Sequence, residues 1–171
     1  MKRLKLVVIG LAVIFISLAF VLSCENGAVD PTEQDLETLG EAMFYAFDGI
    51  EYGVDEPGVT FSGDDPTVPE GMTITFSNYT YLGVTINGSM NIKATVSGTY
   101  PYFTAITATV SGTLNFSGPG APADSVAFNF TISVDFSDPY NPVITVSGTF
   151  TIDGTEFNAS GIGSMALDFL P

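Results

Sequence analysis

From Met72 to Ile152 the chain alternates apolar with small polar residues almost without a break, and a period of two is met only by extended strands that bury one face. Met72, Ile74 and Phe76 alternate with Thr73, Thr75 and Ser77, and then Leu82, Val84, Ile86, Gly88, Met90, Ile92, Ala94 and Val96 alternate with polar or small partners. Ile106, Ala108, Val110, Gly112, Leu114 and Phe116 share one face of the next strand, with Thr107, Thr109, Ser111, Thr113 and Asn115 on the other. Gly118 to Asp124 reads as a turn. Val126, Phe128, Phe130, Ile132, Val134 and Phe136 form the apolar side of a further strand, which Asp138-Pro139-Tyr140-Asn141-Pro142 ends. Ile144, Val146, Gly148, Phe150 and Ile152 follow, and Asp153-Gly154 is the favoured two-residue hairpin turn into a strand over Thr155 to Gly161. Short turns make successive strands antiparallel neighbours. The expected fold is mainly β: a curved antiparallel meander of about six long strands, with one N-terminal amphipathic helix packed on its apolar face.

That helix is expected from Pro31 to Phe47. Asp30 is placed as N-cap, Pro31 at the first helical position and Glu33 reaching back, while Leu36, Leu39, Met43, Phe44 and Phe47 recur at three and four to make a buried face. Between Asp48 and Gly71 the periodicity dissolves into a Gly-, Pro- and acid-rich stretch that reads as loop, with a short strand at Val59 to Phe61. A weak repeat places Gly88, Gly112 and Gly148 mid-strand on the apolar face, each within a Thr-x-x-Gly-Ser or Thr-x-x-Gly-Thr segment. Glycine there marks a bend or a close approach, and the expected neighbour is the helix, with Met43, Phe44 and Phe47 filling the space.

Charge is distributed as unevenly as hydrophobicity. Lys2, Arg3 and Lys5 hold three of the four basic residues, and all nineteen carboxylates follow Cys24, so the chain from Cys24 onward carries one lysine, Lys93, and a net side-chain charge of −18. Nucleic acid is excluded as a partner, because phosphate recognition needs clustered Lys and Arg. Anionic lipid would repel the same surface, so only a covalent anchor could hold the domain at a membrane. The absence of His, with no evident base for a Ser nucleophile, points away from an enzyme. Paired carboxylates could serve glycoside hydrolysis, but here they concentrate in a loop with the character of a solvated surface.

The amino terminus supplies such an anchor. A basic segment, Met1 to Lys5, precedes an apolar run from Leu6 to Leu22, the order of a secretory signal; an uncleaved membrane-spanning helix is the alternative at that length. The run ends in Val21-Leu22-Ser23-Cys24, which resembles the lipobox of bacterial lipoproteins, although Leu22 stands where that family more often has a smaller residue. The resemblance covers residues 1–24 alone. It implies cleavage between Ser23 and Cys24, diacylglycerol in thioether linkage on Cys24 as the lipidation site and, with Glu25 following, sorting to the outer membrane of a diderm bacterium. The organisation that results is a signal peptide over 1–23, a tether over 24–30 and one domain over 31–171, with an acidic loop at about 48–71.

Asp55, Glu56, Asp64, Asp65 and Glu70 offer the oxygens calcium needs, yet their order matches no EF-hand and prolines interrupt them, so neither metal nor cofactor is expected. The Thr-, Ser- and Asn-rich strand face resembles ligand- or ice-recognition arrays, while Thr is also an ordinary strand residue. The leading expectation is a non-enzymatic binding or structural lipoprotein of the cell envelope, with the membrane as partner through Cys24 and any protein, glycan or lipid ligand unassigned. Two alternatives fit the same alternation. One is a carrier of apolar ligand in a half-barrel cavity, and the other is an oligomeric outer-membrane β-barrel subunit.

Overall fold

In the computed structural model residues 32–52, 57–63, 67–99, 102–138, 142–159 and 165–166 are described. Among them the chain forms one helix, α1 (Glu33–Tyr52), and one antiparallel sheet of β1 (Val59–Ser62), β2 (Met72–Tyr81), β3 (Val84–Thr99), β4 (Tyr102–Ser117), β5 (Ser125–Asp135), β6 (Val143–Ile152), β7 (Thr155–Asn158) and β8 (Met165–Ala166). The first seven strands are hydrogen-bonded in chain order and β8 pairs with β6, so the meander has no crossover. Five strands are long and the edges are short, β1 and β7 having four residues each. Short edge strands present little unpaired backbone to other chains.

Helix α1 starts and ends later than expected. Its cap is made by Thr32 and Asp35: the Asp35 carboxylate accepts from the Thr32 amide at 2.8 Å and from its hydroxyl at 2.6 Å, while the Asp35 amide donates to Thr32 Oγ1 at 3.2 Å. This reciprocal box stands in place of the expected Asp30–Glu33 pair, of which Asp30, like Pro31, lies outside the described residues. Thr32→Ala is expected to lower the unfolding free energy by about 1 kcal/mol, measurable as a shift of the urea midpoint at constant slope.

At the other end α1 runs on to Tyr52, so the first five residues of the expected acidic loop are helical. Asp48-Gly49 has the composition of a helix stop, but Ile50 continues the apolar face begun by Leu39, Met43, Ala46 and Phe47 and is buried with them. Gly49 is useful there: a β-carbon at this position would stand 3.1 Å from the Tyr79 ring and 3.4 Å from that of Phe76, so the missing side chain lets α1 settle onto β2. Phe44 was expected in this buried face and is not; it lies on the flank of α1, 50% exposed.

The apolar face of the sheet and the buried face of α1 form one core. Met72, Ile74, Phe76, Val84, Ile86, Met90, Ile92, Val110, Leu114, Val126, Phe128, Phe150 and Ile152 all belong to it, and no polar residue is buried among the described residues. The three mid-strand glycines adopt positive φ, +120° at Gly88, +140° at Gly112 and +107° at Gly148. Their close neighbour is the adjacent strand and not α1. A β-carbon would overlap the carbonyl oxygen of Thr113 at Gly88, of Ser89 at Gly112 and of Asn129 at Gly148. Each glycine also pairs across the ladder with a phenylalanine, Gly88 with Phe76, Gly112 with Phe128 and Gly148 with Phe130.

Two irregularities bend the strands further. The register slips between Phe76 and Tyr79, where Asn78 takes φ +52° and its amide donates to Asn87 Oδ1 at 2.8 Å, and again between Ser97 and Gly98. Leu82 was expected within a strand. It occupies the tip of the β2–β3 hairpin instead, in a two-residue turn with φ +49° at Leu82 and +85° at Gly83. Asp153-Gly154 makes the same kind of turn, as expected, with φ +48° and +85°.

Candidate functional site

Cys24, the lipidation site read from the sequence, lies outside the described residues, as do Asp55, Glu56, Asp64 and Asp65. Glu70 is exposed at the close of the β1–β2 loop, where its carbonyl accepts from Asn91 Nδ2 at 3.2 Å. Among the described residues no three of His, Cys, Asp and Glu come together to hold a metal ion.

The described surface of greatest regularity is the outer face of the sheet. Strand register lines its residues up in ranks: Thr73, Asn91, Ser111, Asn129, Thr149 and Asn158 in one, and Lys93, Thr109, Thr131 and Ser147 in the next. A third rank holds Thr95, Thr107, Ser133 and Thr145. Lys93 is the only charged residue in these three ranks. Their hydroxyls and amides bond to one another: Thr107 to Ser133 at 3.1 Å, Thr109 to Thr131 at 3.0 Å and Asn91 Nδ2 to Thr73 Oγ1 at 2.8 Å. Cross-strand pairs of this kind stabilise the sheet they stand on.

No family model, curated protein or solved structure matches this chain.

The carboxylates at the ends of the strands have local tasks. Asp153 accepts the Ser125 amide at 2.7 Å and returns its own amide to the Ser125 carbonyl at 3.0 Å, clasping the β6–β7 hairpin to the start of β5. At the far end of β5 the Ser137 hydroxyl and the Ser137 amide both donate to Asp135 Oδ1 and hold its carboxyl below the ordinary value of 3.8. A depressed folded-state value stabilises the fold above pH ~4, and the gain disappears as pH falls through the folded-state value. Ser137→Ala is therefore expected to move the Asp135 titration upward, read by carboxyl-carbon NMR, and to leave the remaining shift to the amide. Any difference in stability between the two proteins is expected to vanish at acid pH.

Two features of this surface escaped sequence reasoning. Exposed Phe44 sits where helical spacing places a core residue, and exposed Leu82 continues a strand's alternation. A Leu-Gly pair following Tyr81 was the available sign of a turn. Among the described residues no helix is long and apolar enough to cross a membrane.

Proposed function

We propose that this chain is a lipoprotein of the bacterial cell envelope, cleaved before Cys24, held by diacylglycerol on the Cys24 sulfur and presenting a non-enzymatic binding or structural domain at the outer membrane. The observation that carries the reading is the position of the only cysteine, directly after an apolar run and a small residue. The thioether needs a thiol, the signal peptidase needs a small residue before it, and the apolar run holds both at the membrane surface. Two or more acyl chains, at ~0.8 kcal/mol per buried methylene, make dissociation very slow.

The packing of the domain favours this reading over a carrier. Phe128, Phe130 and Phe150 are buried, Phe136 packs against the same cluster, and among the described residues no buried side-chain polar atom lacks a partner that a ligand could supply. A pocket for an apolar ligand needs room and a few convergent polar groups. An outer-membrane barrel would turn its apolar strand face to lipid, whereas here that face is buried in one cluster with the apolar side of α1.

Expression of the full chain in a diderm host tests the proposal. Intact mass is expected to show a mature protein beginning at Cys24 and carrying at least a diacylglyceryl group, fractionating with the outer membrane. Cys24→Ala is expected to leave an unprocessed precursor without lipid. An unmodified cysteine in the mature protein would end the lipoprotein reading, and co-purifying extractable lipid in the interior would promote the carrier.

A further inference from the structure

Strands β3 and β4 have sixteen residues each and outrun their neighbours. Strand β2 begins at Met72, opposite Ile92, so the last seven residues of β3, Lys93 to Thr99, pair with β4 alone among the described residues. At ~3.3 Å per residue the overhang is ~23 Å long. It is the longest run of strand with a single partner inside the described sheet. Edge strands β1 and β7 have four residues each, β2 extends five residues beyond its pairing with β1, and β6 leaves four, Thr145 to Gly148, between the segments paired with β7 and β8.

A strand edge of this length is a template for the same edge of another copy. Laid antiparallel on itself about Val96, the segment sets Val96 against Val96, Thr95 against Ser97 and Ala94 against Gly98, small or β-branched pairs without a charge between them. The register slip between Ser97 and Gly98, with φ +92° at Gly98, twists the outer end away and leaves Lys93 to Ser97 regular.

Lys93 stands at the foot of this edge. It is exposed, it pairs across the ladder with Thr109, and its stem passes the point where β2 gives out: a β-carbon on Gly71 would lie 2.6 Å from Lys93 Cγ. The only lysine or arginine after Cys24 therefore occupies the first residue of β3 that β2 leaves unpaired.

We propose that Lys93 keeps the β3 edge from pairing with a second copy of the chain. A strand added there would lie beside the lysine stem, fix a side chain otherwise free to move and crowd an ammonium that needs its water, which is why lysine on an edge strand obstructs pairing. The effect is local, and it opposes that of net charge. Removing Lys93 takes the side-chain total after Cys24 from 1 − 19 = −18 to 0 − 19 = −19, a change that by itself drives copies further apart.

The test compares the full chain with Lys93→Thr, Lys93→Arg and a double variant carrying Lys93→Thr and Thr95→Lys, all in detergent, by sedimentation velocity over a range of concentrations. Lys93→Thr, which puts at this position the residue its neighbours Thr109 and Thr131 carry, is expected to associate at a concentration at least about tenfold lower than the parent chain. Hydrogen exchange at the amides of Ala94 to Ser97 is expected to slow in the assembly. Lys93→Arg is expected to behave as the parent chain, and Thr95→Lys to restore that behaviour by returning a cation to the same edge two residues on. Lys93→Thr that stays as dispersed as the parent overturns the proposal, and so does association that leaves those amides exchanging as fast as in the separate chain. Association of the double variant to the same extent as Lys93→Thr overturns it too, because the edge would then be indifferent to a cation.

Discussion

Gly112→Ala is expected to lower the unfolding free energy by roughly 3 kcal/mol, and Gly83→Ala by only about 1, although both glycines have positive φ. The difference lies in what surrounds them. At Gly83 a β-carbon would meet nothing within 4 Å, so the change costs only the backbone strain of a left-handed alanine. At Gly112 it would overlap the Ser89 carbonyl oxygen and stand 2.9 Å from the Met90 Cα. Neither atom can retreat, because both belong to the ladder in which Met90, Gly112 and Phe128 face each other across β3, β4 and β5. Overpacking at ~1–3 kcal/mol then adds to a comparable strain. Urea unfolding of the two variants decides the matter: equal midpoint shifts would mean that close approach of β3 is not what holds Gly112. Total stabilities run to ~5–15 kcal/mol, so a loss of this size is a large share.

Phe150→Ala is expected to cost ~3–5 kcal/mol, the range for deleting a buried aromatic and leaving a cavity. Phe150 is 1% exposed, stacks on Phe157 at 5.2 Å between ring centres and faces Phe128 across the ladder. Side chains so held cannot collapse fully into the vacated volume. Phe150→Leu is expected to cost less, because most of the volume remains. Phe44→Ala, on the exposed flank of α1, is expected to stay within about 0.5 kcal/mol of the parent protein. Thermal unfolding of these three, with denaturant titration to fix the slope, separates the packed interior from a ligand cavity: a roomy interior would lose little on truncation of Phe150.

The strands were legible because a period of two runs through most of each long one, and the Asp153-Gly154 turn because its chemistry is so restrictive. The β2–β3 hairpin was hidden by arithmetic. Buried residues run Met72, Ile74, Phe76, then Tyr79 after the bulge, then Val84 and Ile86 after the turn. The bulge shifts the parity once and the passage through the turn shifts it back, so even-numbered positions are apolar on both sides and Leu82 looks like one more of them. The end of α1 was hidden by composition, since Gly49 reads as a stop until the rings of Phe76 and Tyr79 are placed against it. Phe44 misled because it recurs at the right spacing on a helix whose buried stripe, already filled by Leu39, Ala42, Met43, Ala46, Phe47 and Ile50, leaves it on the flank. For the glycines the close approach was legible, but not the neighbour: strand register decides that, and register depends on both partners at once. The lipobox-like segment Val21 to Cys24 lies outside the described residues and is read from the sequence alone.

Because every strand of the meander up to β7 pairs with the one before it, the sheet can be built in the order in which a ribosome or a translocation channel releases the chain. No strand has to wait for a distant partner, and no early strand is left to be threaded between later ones. A polypeptide with one lysine after Cys24 and long alternating strands has every opportunity to pair wrongly with its neighbours while incomplete. The sequential topology shortens that exposure to the synthesis of one further hairpin.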